Sequence, residues 1–170
     1  MKDQAKDQWA KITATVFYVG YMKPAPGTWG SLAALPLAWL IYQIGGIWLF
    51  ALAIPATYIT GYIATKWMTT GTDNHDPSEI VIDEVVGQWI ALLPVLVGAS
   101  MTNVSSLSLW PGWIAAFGFF RLYDIVKPGP IGWADRKDNA TGVMLDDVIA
   151  GVIAAVCVIG LAGVWHGIAT

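Results

Sequence analysis

The sequence predicts an all-α fold, a polytopic membrane helical bundle of about four to five crossings with an interfacial N-terminal segment. Three observations point there. Only 12% of the 170 residues are charged and 56% are hydrophobic, against about 25% charged in an ordinary globular protein. The charges gather into clusters separated by uncharged runs of 35 residues (31–65), 36 residues (85–120) and 23 residues (148–170). All nine Lys and Arg fall on one side of the membrane when the chain is threaded through those runs. The mean hydropathy is +0.57, and a soluble surface so poor in charge would associate. Disorder, a coiled coil and a collagen-like fibre are excluded on composition.

The elements follow in order within a single expected integral-membrane domain, residues 1–170. Residues 1–22 mix charges with aromatics and lack both a sustained apolar core and a small-residue cleavage site. They read as an interfacial segment, not a signal peptide. A crossing takes about 20 apolar residues, so the first run is long enough for a helical hairpin. Gly45-Gly46 divides it into helices near Ser31–Ile44 and Ile47–Trp67. The polar stretch Ser100–Ser108 divides the second run into helices near Glu84–Ala99 and Leu109–Ile125, and the last helix runs near Val143–Trp165. The first and third are short for a full span, which suggests tilted or re-entrant segments.

The positive-inside rule places the charged side in the cytoplasm. Trp29, Trp67 and Trp133 fall near that boundary and Trp48, Trp110, Trp113 and Trp165 near the other, as an aromatic belt would; Trp39 and Trp89 lie deeper. A net charge of −3 offers no basic footprint for nucleic acid, and no protein partner is implied. The single cysteine, Cys157, cannot close an intramolecular disulfide.

Ten of the twelve acidic residues adjoin membrane segments on the charged side, so any chemistry belongs there. Asp76, Glu79 and Asp83 are spaced i, i+3, i+7 and share a face if helical. The structural reading makes Asp76 a helix cap, Pro77 the first helical residue and Glu79 the partner of a capping box. It leaves Asp83 and Glu84, which run straight into an apolar helix, unexplained. Arg121, Asp124 and Lys127 recur every third residue. They make either a structural Arg121–Asp124 ion pair or two cations gripping a phosphate with Asp124 at a metal. Asp146 and Asp147 head the 23-residue uncharged run, where a helix dipole accounts for one carboxylate but not two. Asp147 shares a face with Gly151, which lets a neighbouring helix come close. Finally, 24–31 (PAPGTWGS) leads into a helix, either as an ordinary loop with Ser31 as cap or as an amide-lined anion seat.

Hard oxygen ligands, two cations and an amide-rich loop on one surface suit Mg²⁺ holding a phosphate group. Cys157 lies in an apolar run without an arginine, no Asp-x-Asp motif occurs, and His75 and His166 fall on opposite sides. Cysteine, aspartyl-phosphate and paired-histidine phosphatase designs are therefore disfavoured.

Residues 27–31 (GTWGS), 76–87, 121–130 and 142–151 resemble, in order and spacing, the phosphatidylglycerophosphatase A family of bacterial inner-membrane enzymes. The resemblance spans 24–151. It implies a multi-pass protein of the bacterial cytoplasmic membrane with its site facing the cytoplasm. The implied reaction is Mg²⁺-dependent removal of the terminal phosphate of phosphatidylglycerophosphate, giving phosphatidylglycerol. The mechanism expected is in-line hydrolysis. Asp83, Glu84, Asp146 and Asp147 would hold one or two Mg²⁺, with Asp76, Glu79 and Asp124 as further candidates. Arg121 and Lys127 would stabilise the phosphoryl transition state, Thr28–Ser31 would add backbone donors, and one non-ligating carboxylate would be the base. The alternative is a small cation transporter or channel lined by carboxylates, which predicts acids in mid-membrane or on both faces.

Overall fold

The computed structural model describes residues 2–72, 77–137 and 139–169, and among them the regular structure is all helical, without a strand. The helices are α1 (Lys2–Ala14), α2 (Pro26–Thr69), α3 (Ile82–Thr102), α4 (Trp110–Val126), α5 (Pro130–Asp135) and α6 (Ala140–Ala169), with short 3₁₀ turns at Val19–Tyr21 and Ser106–Leu109. Three of them, α2, α3 and α6, are long and apolar enough to cross a membrane.

The 44-residue α2 is folded in two at Gly45-Gly46, where Gly46 adopts φ 63°, ψ −160°, a conformation open essentially to glycine alone. Gly30 sits against Val81 and Gly61 against Ile82. Further along, Ala34 accepts a hydrogen bond from Trp89 Nε1 at 2.9 Å and the Phe50 ring lies 5.7 Å from the Trp89 ring. Both arms of α2 therefore meet the same few residues of α3 in opposite order, as an antiparallel hairpin must. With α4, at 17 residues about 25 Å long, five rods of membrane scale result.

Two expected short rods are longer than expected. The first arm starts at Pro26, and α3 spans 21 residues, about 31 Å. The helix begins at Ile82, close to the expected Glu84, and not at Pro77 as the capping reading of Asp76 and Glu79 would have it. The reason lies across the chain: the Val81 amide donates to Ala14 O at 2.9 Å, and Gly20 packs directly on the Glu79 carbonyl. Residues 77–81 are thus committed to the N-terminal segment. Within that segment the polar helix α1 packs against the end of α2, with Trp9 edge-on to Trp67 at 5.5 Å. Val16, Phe17 and Tyr18 follow with φ of 49°, 53° and 69°. The turn is held by Thr15, whose hydroxyl accepts from the Tyr18 amide at 3.0 Å and whose carbonyl accepts from Gly20 N.

The bundle's centre is the crossing of α3 and α6, where Gly87 and Gly151 bring the two backbones together and Phe120 of α4 closes over Gly87. Any larger residue at Gly87 or Gly151 would strike backbone, so this contact fixes the register of the two helices. Trp113 belongs to this interior and not to an aromatic belt: it is buried, and its Nε1 donates to Ser106 O at 2.9 Å. Trp48, Trp110 and Trp165 are exposed, as lipid-facing residues of a membrane bundle should be.

Candidate active site

The register set at Gly87 and Gly151 decides what meets at the charged end of the bundle. Asp83 and Glu84 occupy the first turn of α3, where the helix dipole favours negative charge. Asp146 and Asp147 stand in the second turn of α6, which starts at Ala140. Arg121 and Asp124 come from the last turns of α4, and Lys127 follows immediately as its left-handed cap. All seven side chains line one cavity of about 290 Å³, whose far wall is Ala25, Pro26 and Gly27 at the head of α2.

Within the cavity the charges are interlocked. Arg121 Nη1 donates to Asp124 Oδ2 at 2.5 Å and lies 3.4 Å from Ser31 Oγ. Lys127 Nζ donates to Asp146 Oδ2 and to Asp135 Oδ1 at 2.7 Å, with Asp124 Oδ1 at 3.9 Å. Burial of Lys127 opposes its charge, but the hydrogen bonds to Asp135 and Asp146 outweigh it and raise its pKa above the ordinary lysine value. The side chain is therefore an ammonium throughout the neutral range. Two carboxylates also order their own helix turns, Asp83 Oδ1 accepting from Glu84 N and Asp146 Oδ1 from Asp147 N, both at 3.0 Å.

These acids fall into two groups whose oxygens lie within 4.8 Å of one another: Asp83, Glu84 and Asp147, and Asp124, Asp146 and Asp147. Glu84 Oε2 is fully shielded and has no hydrogen-bond partner. A shielded carboxylate oxygen beside two more carboxylates is costly unless a cation completes it. The backbone makes room for this arrangement at Gly27, where a Cβ would overlap Glu84 Oε1 and come within 3.2 Å of Arg121 Nη1. Carboxylate oxygens without sulfur or imidazole are the donor set of a hard divalent cation, so the residues present fit a metal.

Of the other residues singled out in the sequence, Glu79 lies in the turn before α3 and is absent from the cavity wall and from both carboxylate groups. Asp76 lies outside the described residues. Neither Thr28 nor Ser31 lines the cavity. Ser31 is buried behind it, its hydroxyl donating to Gly27 O at 2.9 Å and lying 3.4 Å from Arg121 Nη1. The first-turn amides of α2 at Gly27 and Thr28 do point to this end, without helical partners of their own. Two participants were not foreseen. Asp135 anchors Lys127, a link that the eight-residue separation across two prolines conceals. Gly27 matters for the space it leaves, whereas in the sequence it belongs to the loop read as an amide-lined anion seat.

The phosphatidylglycerophosphatase A family model matches residues 12–162. Among curated relatives, a phosphatidylglycerophosphatase A of Haemophilus influenzae is 36% identical over 151 residues, covering 88% of this chain and 86% of that protein. One of Escherichia coli is 36% identical over 146 residues, covering 85% and 78%. A Bacteroides thetaiotaomicron protein, 35% identical over 147 residues and covering 83% and 86%, carries the provisional name of a phosphatidylinositol-3-phosphatase. No solved structure matches the chain. With a family model over residues 12–162 and relatives matched over most of both chains, the chain belongs to the phosphatidylglycerophosphatase A family and is a membrane-helical phosphatase.

Proposed function

We propose that this phosphatase hydrolyses the terminal phosphate of phosphatidylglycerophosphate in a Mg²⁺-dependent reaction, at the cytoplasmic face of a bacterial inner membrane. One observation carries the reading: five carboxylates and two cations from three separate helices converge on one cavity at the charged end of the bundle. The names of the Haemophilus and Escherichia relatives support the substrate. The distribution of Lys and Arg supports the orientation.

Asp83, Glu84, Asp146 and Asp147 supply the ligand set. When bound, Mg²⁺ offsets the charge on the phosphoryl oxygens and lowers the pKa of the attacking water. Arg121 and Lys127 face the same space and stabilise charge on the equatorial oxygens as the phosphoryl group transfers. The free amides at the head of α2 add donors and a positive dipole end. A carboxylate left outside the ligand set takes the water's proton. The water oxygen bonds to phosphorus as the opposite P–O bond to the headgroup glycerol breaks; the leaving oxygen takes a proton from solvent and becomes a hydroxyl, and the carboxylic acid returns its proton to solvent. Leu122, Ile125 and Val126, next in sequence to the cavity residues of α4, are exposed apolar residues along which the acyl chains of a lipid lie while its headgroup enters.

The test is phosphate release from phosphatidylglycerophosphate by purified protein in detergent, with Mg²⁺ and then with EDTA. Release that disappears with the chelator and returns with Mg²⁺ supports both substrate and metal. Folded protein that releases no phosphate from this lipid, yet does so from another phosphorylated lipid, refutes the substrate and keeps the reaction.

A further inference from the structure

The two carboxylate groups share Asp147, an arrangement that on its face invites a pair of metal ions bridged by one residue. Their surroundings differ. In the group of Asp124, Asp146 and Asp147, Asp124 is bound by Arg121 at 2.5 Å, and Asp146 receives a hydrogen bond from Lys127 Nζ. The same ammonium lies 3.9 Å from Asp124 Oδ1, so it sits between two of the three acids, where a metal would. It is tied in place from outside by Asp135 at 2.7 Å. Its backbone is fixed as the left-handed cap of α4 (φ 47°, ψ 52°), with its amide bound to Tyr123 O. In the group of Asp83, Glu84 and Asp147, by contrast, neither Glu84 nor Asp147 has an ion pair with any described Lys or Arg, and Glu84 Oε2 is shielded and unpartnered.

We infer that Lys127 is the resident cation of the second carboxylate group, so that each chain takes a single divalent ion, held by Asp83, Glu84 and Asp147. The inference rests on the metal-dependent reading above and narrows its four carboxylate ligands to three, Asp146 being the partner of Lys127. Three N–H donors of one ammonium can serve Asp146, Asp135 and a phosphate oxygen or Asp124 in turn. A second divalent ion would stand against a positive charge only a few ångströms away, in a site of low dielectric where such repulsion is strong. The lysine thus supplies one positive charge in the place a second metal takes in two-metal phosphatases, without a second binding equilibrium.

The experiment counts Mn²⁺ bound per chain by electron paramagnetic resonance on purified, monodisperse protein in detergent, independently of turnover. Wild type should saturate at one ion per chain, Lys127→Met at two, and Lys127→Arg at one. Two ions on wild type would overturn the inference, and so would a Lys127→Met protein that stays at one. No bound ion on wild type would instead remove the metal reading itself. Should Lys127→Met fail to fold, the wild-type count still decides between one ion and two.

Discussion

Adding a single methyl group at Gly27 separates the needs of catalysis from those of folding. A Cβ there would overlap Glu84 Oε1 and approach Arg121 Nη1 to 3.2 Å. Relief requires the Glu84 carboxylate to retreat by roughly 1 Å, and its side chain can do so by rotation, without backbone movement. Alanine is also the better residue inside a helix by about 1 kcal/mol, so Gly27→Ala should melt at or slightly above the wild-type temperature. Catalysis should not survive so well. A misplacement of about 1 Å in a positioned group costs on the order of 10²-fold in rate, equivalent to ~2.7 kcal/mol of barrier. Phosphate-release kinetics across a Mg²⁺ series, beside thermal melts in the same detergent, would measure both. Gly30→Ala is the control: its Cβ would lie 2.7 Å from the Cβ of buried Val81, a β-branched neighbour that cannot rotate away, so stability should fall. A Gly27→Ala enzyme with kcat within about threefold of wild type would refute the placement of Glu84 in the reacting centre.

Three further outcomes follow from the same geometry. Asp147→Asn, at the carboxylate common to both groups, should lower kcat by about a thousandfold or more, while its melting temperature holds or rises because a buried charge is removed; stopped assays and a melt measure the two. Arg121→Lys should lose about 10²-fold in kcat/KM, since an ammonium on a shorter stem does not put a donor where Nη1 meets both Asp124 and Ser31, and steady-state kinetics will show it. Gly151→Ala drives a methyl group into the Gly87 backbone and should cost about 1–3 kcal/mol of stability, read as a lowered unfolding midpoint, with activity per folded molecule falling as α3 and α6 separate.

Much of this architecture is legible in the residues themselves. Uncharged runs longer than a bilayer crossing can only be membrane helices or their hairpins, and Gly45-Gly46 marks the fold in α2 because no other residue tolerates the backbone of Gly46. The site is legible for the same reason: Asp83, Glu84, Asp146 and Asp147 are too costly beside lipid to be there for solubility. What is not legible is tertiary. The start of α3 is set by Ala14 and Gly20, some sixty residues upstream, and the capping signals at Pro77 and Glu79 yield to them. Trp113 carries the pattern of an interfacial aromatic yet is buried, because Ser106 offers its indole a carbonyl within the bundle. Asp135 is one acid among several near the surface until the turn after α4 swings it onto Lys127. Ser31 has the spacing of an anion-binding residue, but the helix begins at Pro26 and turns its hydroxyl back to Gly27 O.

The convergence of the site on α6 has a consequence for biogenesis. The earlier rods carry Asp83, Glu84, Arg121, Asp124 and Lys127, but Asp146 and Asp147 leave the ribosome after all of them. Until that helix is inserted and Gly151 seats against Gly87, Lys127 lacks its Asp146 anchor and both carboxylate groups lack the residue they share. On the proposed ligand set, a chain stalled before α6 is inert, and the membrane is not exposed to a phosphatase that is only partly built. Activity itself then reports that translation has passed the last element of the site.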